Sequence, residues 1–276
     1  MLLYIVAGAG LAALTALAYL AIRRLIEEGH QNSIWKSLRG RGDGEVFHPG
    51  MVEGLPEPAK RYLLHSIRPG TILATSVVIR MSGKMRSKAT APWANVIARE
   101  ILSVPLGFLW RARVRRSMKR FSGADSYSDG KARVGFWFWG IFPAMRMEDE
   151  DTKRSAIGRL AIESAWLPAA LLPQAGAKWE PVSSNSAKVT LNIDGAPNTL
   201  TLTFNPDGAL RRSSLSRWGA EGEGGKATWL PYQVDVLEET EFGGYTIPSF
   251  FTAGWWVRPD FFFEFFRATV NHAEFD

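Results

Sequence analysis

Residues 188–216 read KVTLNIDGAPNTLTLTFNPDGALRRSSLS. Three strand-length runs, Lys188 to Ile193, Thr199 to Phe204 and Leu210 to Ser216, are separated by Asp194-Gly195 and by Asn205-Pro206-Asp207-Gly208. Asp, Asn, Pro and Gly at those positions supply the backbone turns that send a strand back beside itself, so the stretch predicts a three-strand antiparallel meander.

Working outward, the same two-residue period recurs on both sides. Gln233 to Glu241, Tyr245 to Ala253 and Phe266 to Phe275 read as strands toward the C-terminus. Toward the N-terminus, Val77, Ile79 and Met81 alternate with Val78, Arg80 and Ser82, and Phe108, Trp110, Ala112 and Val114 alternate with Leu109, Arg111 and Arg113. Lys131 to Trp139 follows a turn at Asp129-Gly130. These predict half-buried strands. Two helical stretches interrupt them: a short one over Leu55 to Leu64, with prolines in its first turn, and a long one over Asp151 to Leu172, capped by Asp151 or Thr152 and broken at Pro168. Strands joined by hairpins with inserted helices predict an α+β domain built on one curved antiparallel sheet.

Ahead of this domain, Met1 to Ile22 reads MLLYIVAGAGLAALTALAYLAI, without a charged side chain, and runs into Arg23 and Arg24. About 20 apolar helical residues at about 1.5 Å each cross a hydrocarbon core of about 30 Å. A cleaved signal, for which Ala16-Leu17-Ala18 offers a small-residue site, would carry its positive charge before the apolar run; here the charge follows it, which favours a retained transmembrane anchor over residues 1–24. The Lys and Arg excess after the run, at Arg23, Arg24, Lys36, Arg39 and Arg41, marks the cytoplasmic flank of a single-pass cell-membrane protein. Residues 25–54, with many glycines among scattered charges, read as a linker; Arg41-Gly42-Asp43 within it reads as spacer rather than adhesion motif. Residues 55–276 read as one domain.

Composition excludes several chemistries. The chain has no cysteine, so there is no thiol nucleophile, disulfide or acylated thiol. His30, His48, His65 and His272 form no metal-ligand spacing, and no G-x-S-x-G elbow occurs. Gly222 to Lys226 fails as a phosphate loop, because Ala220 stands at the first glycine position and Ala227 where the metal-binding hydroxyl belongs. Glu148-Asp149-Glu150-Asp151 fits the positive end of a helix better than a metal site. No cofactor and no metal are indicated. The net charge of +6 and pI near 9.6 suit anionic lipid or nucleic acid. Arg111, Arg113 and Arg115 share one strand face, a positive ridge that reads either as a solvated strand face or, since a tethered domain sits near anionic headgroups, as a membrane-surface contact; no nucleic-acid motif accompanies it. Eleven tryptophans, spread from Trp35 to Trp256, fit packing between sheet and helices, or the lining of an apolar cavity or membrane-facing rim.

On the long helix Ser155, Arg159, Glu163 and Trp166 fall at spacings of four, four and three and so share one face. Arg159 and Glu163 can pair one turn apart, either to seat the helix on the sheet or to anchor a ligand headgroup at the mouth of a cavity.

The run Arg154-Ser155-Ala156-x-Gly158-Arg159-Leu160-Ala161-x-Glu163-x-x-Trp166-Leu167-Pro168-x-Ala170-Leu171-Leu172-Pro173, with Phe242-Gly243-Gly244-Tyr245-Thr246-Ile247-Pro248-Ser249 and Phe265-Phe266-Arg267-Ala268, resembles a bacterial family of uncharacterised proteins known as a domain of unknown function. The resemblance covers about Leu55 to the C-terminus. The strand order is similar, at the level of fold, to the half-barrel of lipoprotein-sorting and lipid-carrier proteins of the LolA and LppX type, which implies a concave face that binds acyl chains. The expected function is a membrane-anchored binding protein for a lipid or other apolar molecule, with Arg159, Glu163, Trp166 and Tyr245 as candidate ligand residues. The alternatives are a hydrolase or transferase using Arg159, Glu163 or Tyr245, and a structural partner of another envelope protein. The expected partners are the membrane and its lipid, not nucleic acid, with the oligomeric state left open.

Overall fold

Thirteen strands make one curved, unclosed antiparallel sheet in the computed structural model of this chain, which describes residues 1–276 apart from 41, 43, 223 and 224. In chain order they are β1 Val77–Met85, β2 Ala94–Ser103, β3 Gly107–Arg116, β4 Lys119–Ser128, β5 Lys131–Phe138, β6 Phe142–Met147, β7 Lys178–Ser183, β8 Ser186–Ile193, β9 Ala196–Phe204, β10 Leu210–Gly219, β11 Thr228–Phe242, β12 Tyr245–Arg258 and β13 Phe261–Phe275. Their order across the sheet is β6-β5-β4-β3-β2-β1-β13-β12-β11-β10-β9-β8-β7. Two meanders, β1 to β6 and β7 to β13, are therefore joined by pairing the last strand with the first, Val77 opposite Phe275.

The expected meander is β8, β9 and β10, with Asp194-Gly195 and residues 205–208 as its turns. Four strands escaped the reading of the period: β2, β4, β6 and β7. β2 alternates inward Val96, Ala98 and Leu102 with outward Asn95, Ile97 and Arg99, but puts Glu100 on the inward side and so breaks its own pattern. β6 and β7 are edge strands, exposed along most or all of their length, and each carries a proline, as edges tolerate.

The inward side chains form one core under the helices α2 (Glu57–Ser66) and α3 (Glu150–Glu163). α2 closes one end of the half-barrel, with Tyr62 and Leu63 fully buried and Tyr62 stacked on Phe204 at 4.9 Å. α3 links the two edge strands β6 and β7 and lies across the concave side against β4, β5, β9 and β10.

The N-terminal helix α1 runs without a break from Leu2 to Leu38, past the end of the uncharged segment. It is the one helix among the described residues long and apolar enough to cross a membrane. Residues 25–38, expected as flexible linker, are instead its last turns, docked on the convex face of the sheet. Leu38, Ile34 and Trp35 pack with Val78, Ile101, Leu109 and Ala124, and Glu27 pairs with Arg133 at 3.1 Å. The chain that follows is strapped down too: Arg39 pairs with Glu274 and Asp276, Gly40 N–H donates to Ser76 Oγ, and Phe47, Met51 and Val52 join the main core. Glycine content marked a spacer, but packing partners far along the chain order it. Arg41 and Asp43 of the Arg41-Gly42-Asp43 triplet lie outside the described residues, as do residues 223 and 224 of the loop over Gly222 to Lys226.

Candidate functional site

α3 starts at Asp149, whose carboxylate accepts from Thr152 N at 2.8 Å and from Thr152 Oγ1 at 2.6 Å. The cap is thus two residues earlier than Asp151, and its pKa is lowered first by the Thr152 hydroxyl and then by the backbone N–H. Two other acids of that run are also engaged: Glu148 pairs with Arg133 and Arg146, and Asp151 accepts from Trp218 Nε1. The helix ends at Glu163 rather than Leu172 and gives way to short 3-10 turns over residues 164–166, 168–171 and 173–175. Pro168 and Pro173 each start one of these turns and deny the α conformation to the residue before them.

This geometry points Arg159 at the floor of the sheet. Its Nε donates to Glu163 Oε1 at 2.8 Å, Nη1 to Asp125 Oδ2 on β4 at 2.7 Å, and Nη2 to Glu100 Oε1 on β2 at 2.9 Å. The guanidinium also lies over the rings of Phe108 at 4.5 Å and Trp110 at 5.2 Å. One arginine therefore meets three carboxylates. Burial opposes its charge, but Glu163, Glu100 and Asp125 outweigh that and raise its pKa well above the ordinary value. Glu100 shifts upward as well: its burial comes first and the charge of Glu163 second, against the attraction of Arg159. Its proton is therefore held more tightly than that of an ordinary glutamate.

The same cluster forms the polar end of a cavity of about 340 Å³. Its walls are mostly apolar, among them Met81, Trp110, Phe136, Trp166, Phe251 and Phe266. Trp166 donates Nε1–H to Pro248 O at 2.9 Å and meets Phe251 edge-on at 4.7 Å, which fixes its ring in the wall. A second arginine, Arg217 on β10, reaches the cavity past Gly158, where a Cβ would stand 2.8 Å from Arg217 Cγ. Arg217 donates to Ser155 O at 3.0 Å and to Ser155 Oγ at 3.3 Å, so the serine of the helix face binds this arginine. Glu221 also lines the cavity, giving four carboxyl groups against two guanidinium groups.

Of the four candidate ligand residues, Arg159, Glu163 and Trp166 come together in this cavity; Tyr245 does not. Its ring is buried and stacked on Phe275 at 4.2 Å, and its hydroxyl donates to Ile72 O and accepts from Ala74 N, both at 2.8 Å. It ties the start of β12 to the segment leading into β1. Glu100, Asp125 and Arg217 were not singled out, although each is a charged residue on the apolar side of an alternating strand, which is the signal that could have found them.

The positive ridge divides. Arg113 and Arg115 are exposed, but Arg111 is half-buried under α1, where it donates to Asn32 Oδ1 at 2.8 Å and lies over Trp35 at 5.5 Å. Its pKa is lowered, first by burial and then by the neighbouring Arg99. Alternation had put the three on one face, and the docking of α1 on that face takes Arg111 from the surface.

Among solved structures, the chain is similar to a LolA superfamily protein from Nitrosomonas europaea, with 6% identity, a TM-score of 0.44, and coverage of 79% of this chain and 92% of that one. It is also similar to a putative outer membrane lipoprotein-sorting protein domain from Vibrio parahaemolyticus, with 5% identity, a TM-score of 0.41, and coverage of 73% and 85%. A DUF1329 family protein from Desulfovibrio piger matches at 6% identity and a TM-score of 0.35, over 74% and 86%. Likeness at this distance says nothing of what the present chain binds. A comparison with curated proteins finds no match. The family of unknown function DUF6544 matches residues 45–268, a span that takes in the cavity, α3 and the first half of the last strand, and the chain belongs to that family.

Proposed function

We propose that this protein is a membrane-tethered binding protein that holds a lipid or another apolar molecule in the cavity under α3. The observation that carries the reading is the cavity itself: about 340 Å³ of largely apolar space ending on one compact polar cluster. Ligand sites commonly have that composition, apolar walls with a few placed polar groups, whereas a core built for stability alone packs closed. Acids outnumber bases at the polar end, and Arg159 is already shared by three carboxylates. With the guanidinium taken up in this way, the cavity's polar end offers chiefly hydrogen-bond acceptors, so the ligand's polar end is a hydrogen-bond donor, a hydroxyl or an amine.

The tether is α1, which carries no charged side chain before Arg23. The Lys and Arg excess beyond them favours the cytoplasmic side for the domain. Two experiments test the reading. Native mass spectrometry of the detergent-extracted protein, followed by organic extraction, should find a neutral or amine-bearing amphiphile that co-purifies; an empty cavity in every preparation, or only anionic lipid bound, would count against it. Deleting residues 1–22, which keeps the docked turns of α1, should release a folded domain from membranes, and a truncated chain that still sediments with them at high salt would remove α1 as the principal tether.

A further inference from the structure

The contacts of α1 trace a path across the convex face. Leu38 packs near Val78 and Ile101, Asn32 meets Arg111 on β3, Glu27 meets Arg133 on β5, and Arg24 lies 5.7 Å over the ring of Trp137, near the end of β5. Leu109, Ser126 and Arg133 stand opposite one another on β3, β4 and β5, so Trp137 lies four residues further toward the β5–β6 turn. The 14 helical steps from Arg24 to Leu38 rise about 21 Å, and the helix crosses the strands obliquely as it rises. Continued toward its N-terminus, α1 leaves the sheet past the β5–β6 turn, and its uncharged segment begins there.

That corner of the half-barrel is unlike the rest of the surface. Met118 in the β3–β4 turn is 75% exposed and Trp139 in the β5–β6 turn 57% exposed, with Ile141 and Phe142 also exposed beside them. Arg115, Arg116, Lys119 and Arg120 surround these apolar tips. Exposed aromatic and aliphatic tips ringed by Arg and Lys match the headgroup layer of an anionic bilayer, where both kinds of side chain are favourable. Met145, which lines the cavity, is exposed on β6, the strand that follows the β5–β6 turn, so the cavity reaches the surface on that flank. The opposite end is shut by α2, which Arg61 ties to the β7–β8 turn through Ser184 O at 2.8 Å.

We propose that the β3–β4 and β5–β6 turns insert into the headgroup layer of the bilayer that α1 spans, so that the cavity mouth opens onto the membrane and takes its ligand from it. The proposal rests on the tethered-binder reading and adds the orientation of the domain. The docked turns of α1 act as a rigid bracket in place of a flexible leash.

Because the chain has no cysteine, single Cys replacements give unique labelling sites. Full-length Ile141→Cys, Trp139→Cys and Val182→Cys, the last beside the β7–β8 turn at the closed end, are labelled with an environment-sensitive fluorophore. Each is then placed in phosphatidylcholine–phosphatidylglycerol vesicles with and without nitroxide-labelled lipid. The expected result is several-fold stronger lipid quenching at 139 and 141 than at 182. Equal quenching at all three positions, in protein that floats with the vesicles, overturns the orientation and leaves the tether standing. Blue-shifted emission at 139 and 141 without lipid quenching overturns it in favour of a second protein on that rim. Protein that does not float with the vesicles overturns the tether and the orientation together.

Discussion

Arg159 on α3 and Glu100 on β2 are joined by a bond of 2.9 Å between two largely buried side chains, and Asp125 and Glu163 complete the ring around the same guanidinium. An isolated pair one helical turn apart is worth a few tenths of a kcal/mol. A buried arginine shared by three carboxylates is a different object, since removing it takes from all three acids the cation they share.

Arg159→Met should therefore destabilise the domain by about 3–5 kcal/mol. Glu163→Gln should cost less, because two carboxylates still hold the arginine. Adding Glu163→Gln to Arg159→Met should recover only part of the loss, since Glu100 and Asp125 remain unpaired. Thermal melts of the three variants check this; full recovery in the double variant would reduce the cluster to a simple helix pair.

Glu100 supplies a pH dependence whose sign can be worked out. Its folded pKa is raised, so its contribution to stability is fully present below the ordinary carboxyl value and is lost as the pH rises toward the folded value. Across that window the unfolded chain has released a proton that the folded chain keeps. Glu100→Gln has no such proton to lose. Its melting temperature relative to the wild type should climb as the pH rises above the ordinary carboxyl value. A difference that stays constant over that window would mean Glu100 is already ionised in the folded protein.

The ridge should respond unequally. Arg113→Gln and Arg115→Gln should each weaken binding of the tether-free domain to anionic vesicles by up to about 1 kcal/mol, an effect that fades as salt rises. Arg111→Gln should leave vesicle binding nearly unchanged and instead loosen α1 from the sheet, read as faster amide exchange over residues 25–38. Equal losses of vesicle binding for all three would restore Arg111 to the surface.

Tyr245→Phe separates structure from site. It leaves Ala74 N–H and Ile72 C=O without their buried partner, at a cost of about 1–3 kcal/mol. Ligand co-purification should persist, because the ring is outside the cavity. Loss of ligand at an unchanged melting temperature would return Tyr245 to the list of binding residues.

What the sequence by itself determined is what local rules govern. The meander over residues 188–216 follows from turn residues and a two-residue period, the apolar span from 22 uncharged positions, and the shared face of Arg159, Glu163 and Trp166 from helical spacing. Tertiary structure alone decided who stands opposite whom. Asp125 is 34 residues from Arg159 and Glu100 is 59, and alternation can say that each points inward but not which cation it meets there. The pairing of β13 with β1 and the docking of α1 over Arg111 are long-range in the same way. A linker rich in glycine and a strand face rich in arginine look solvated when read locally. They are ordered here because burying Leu38, Trp35 and Phe47 against distant partners outweighs the conformational freedom that ordering removes.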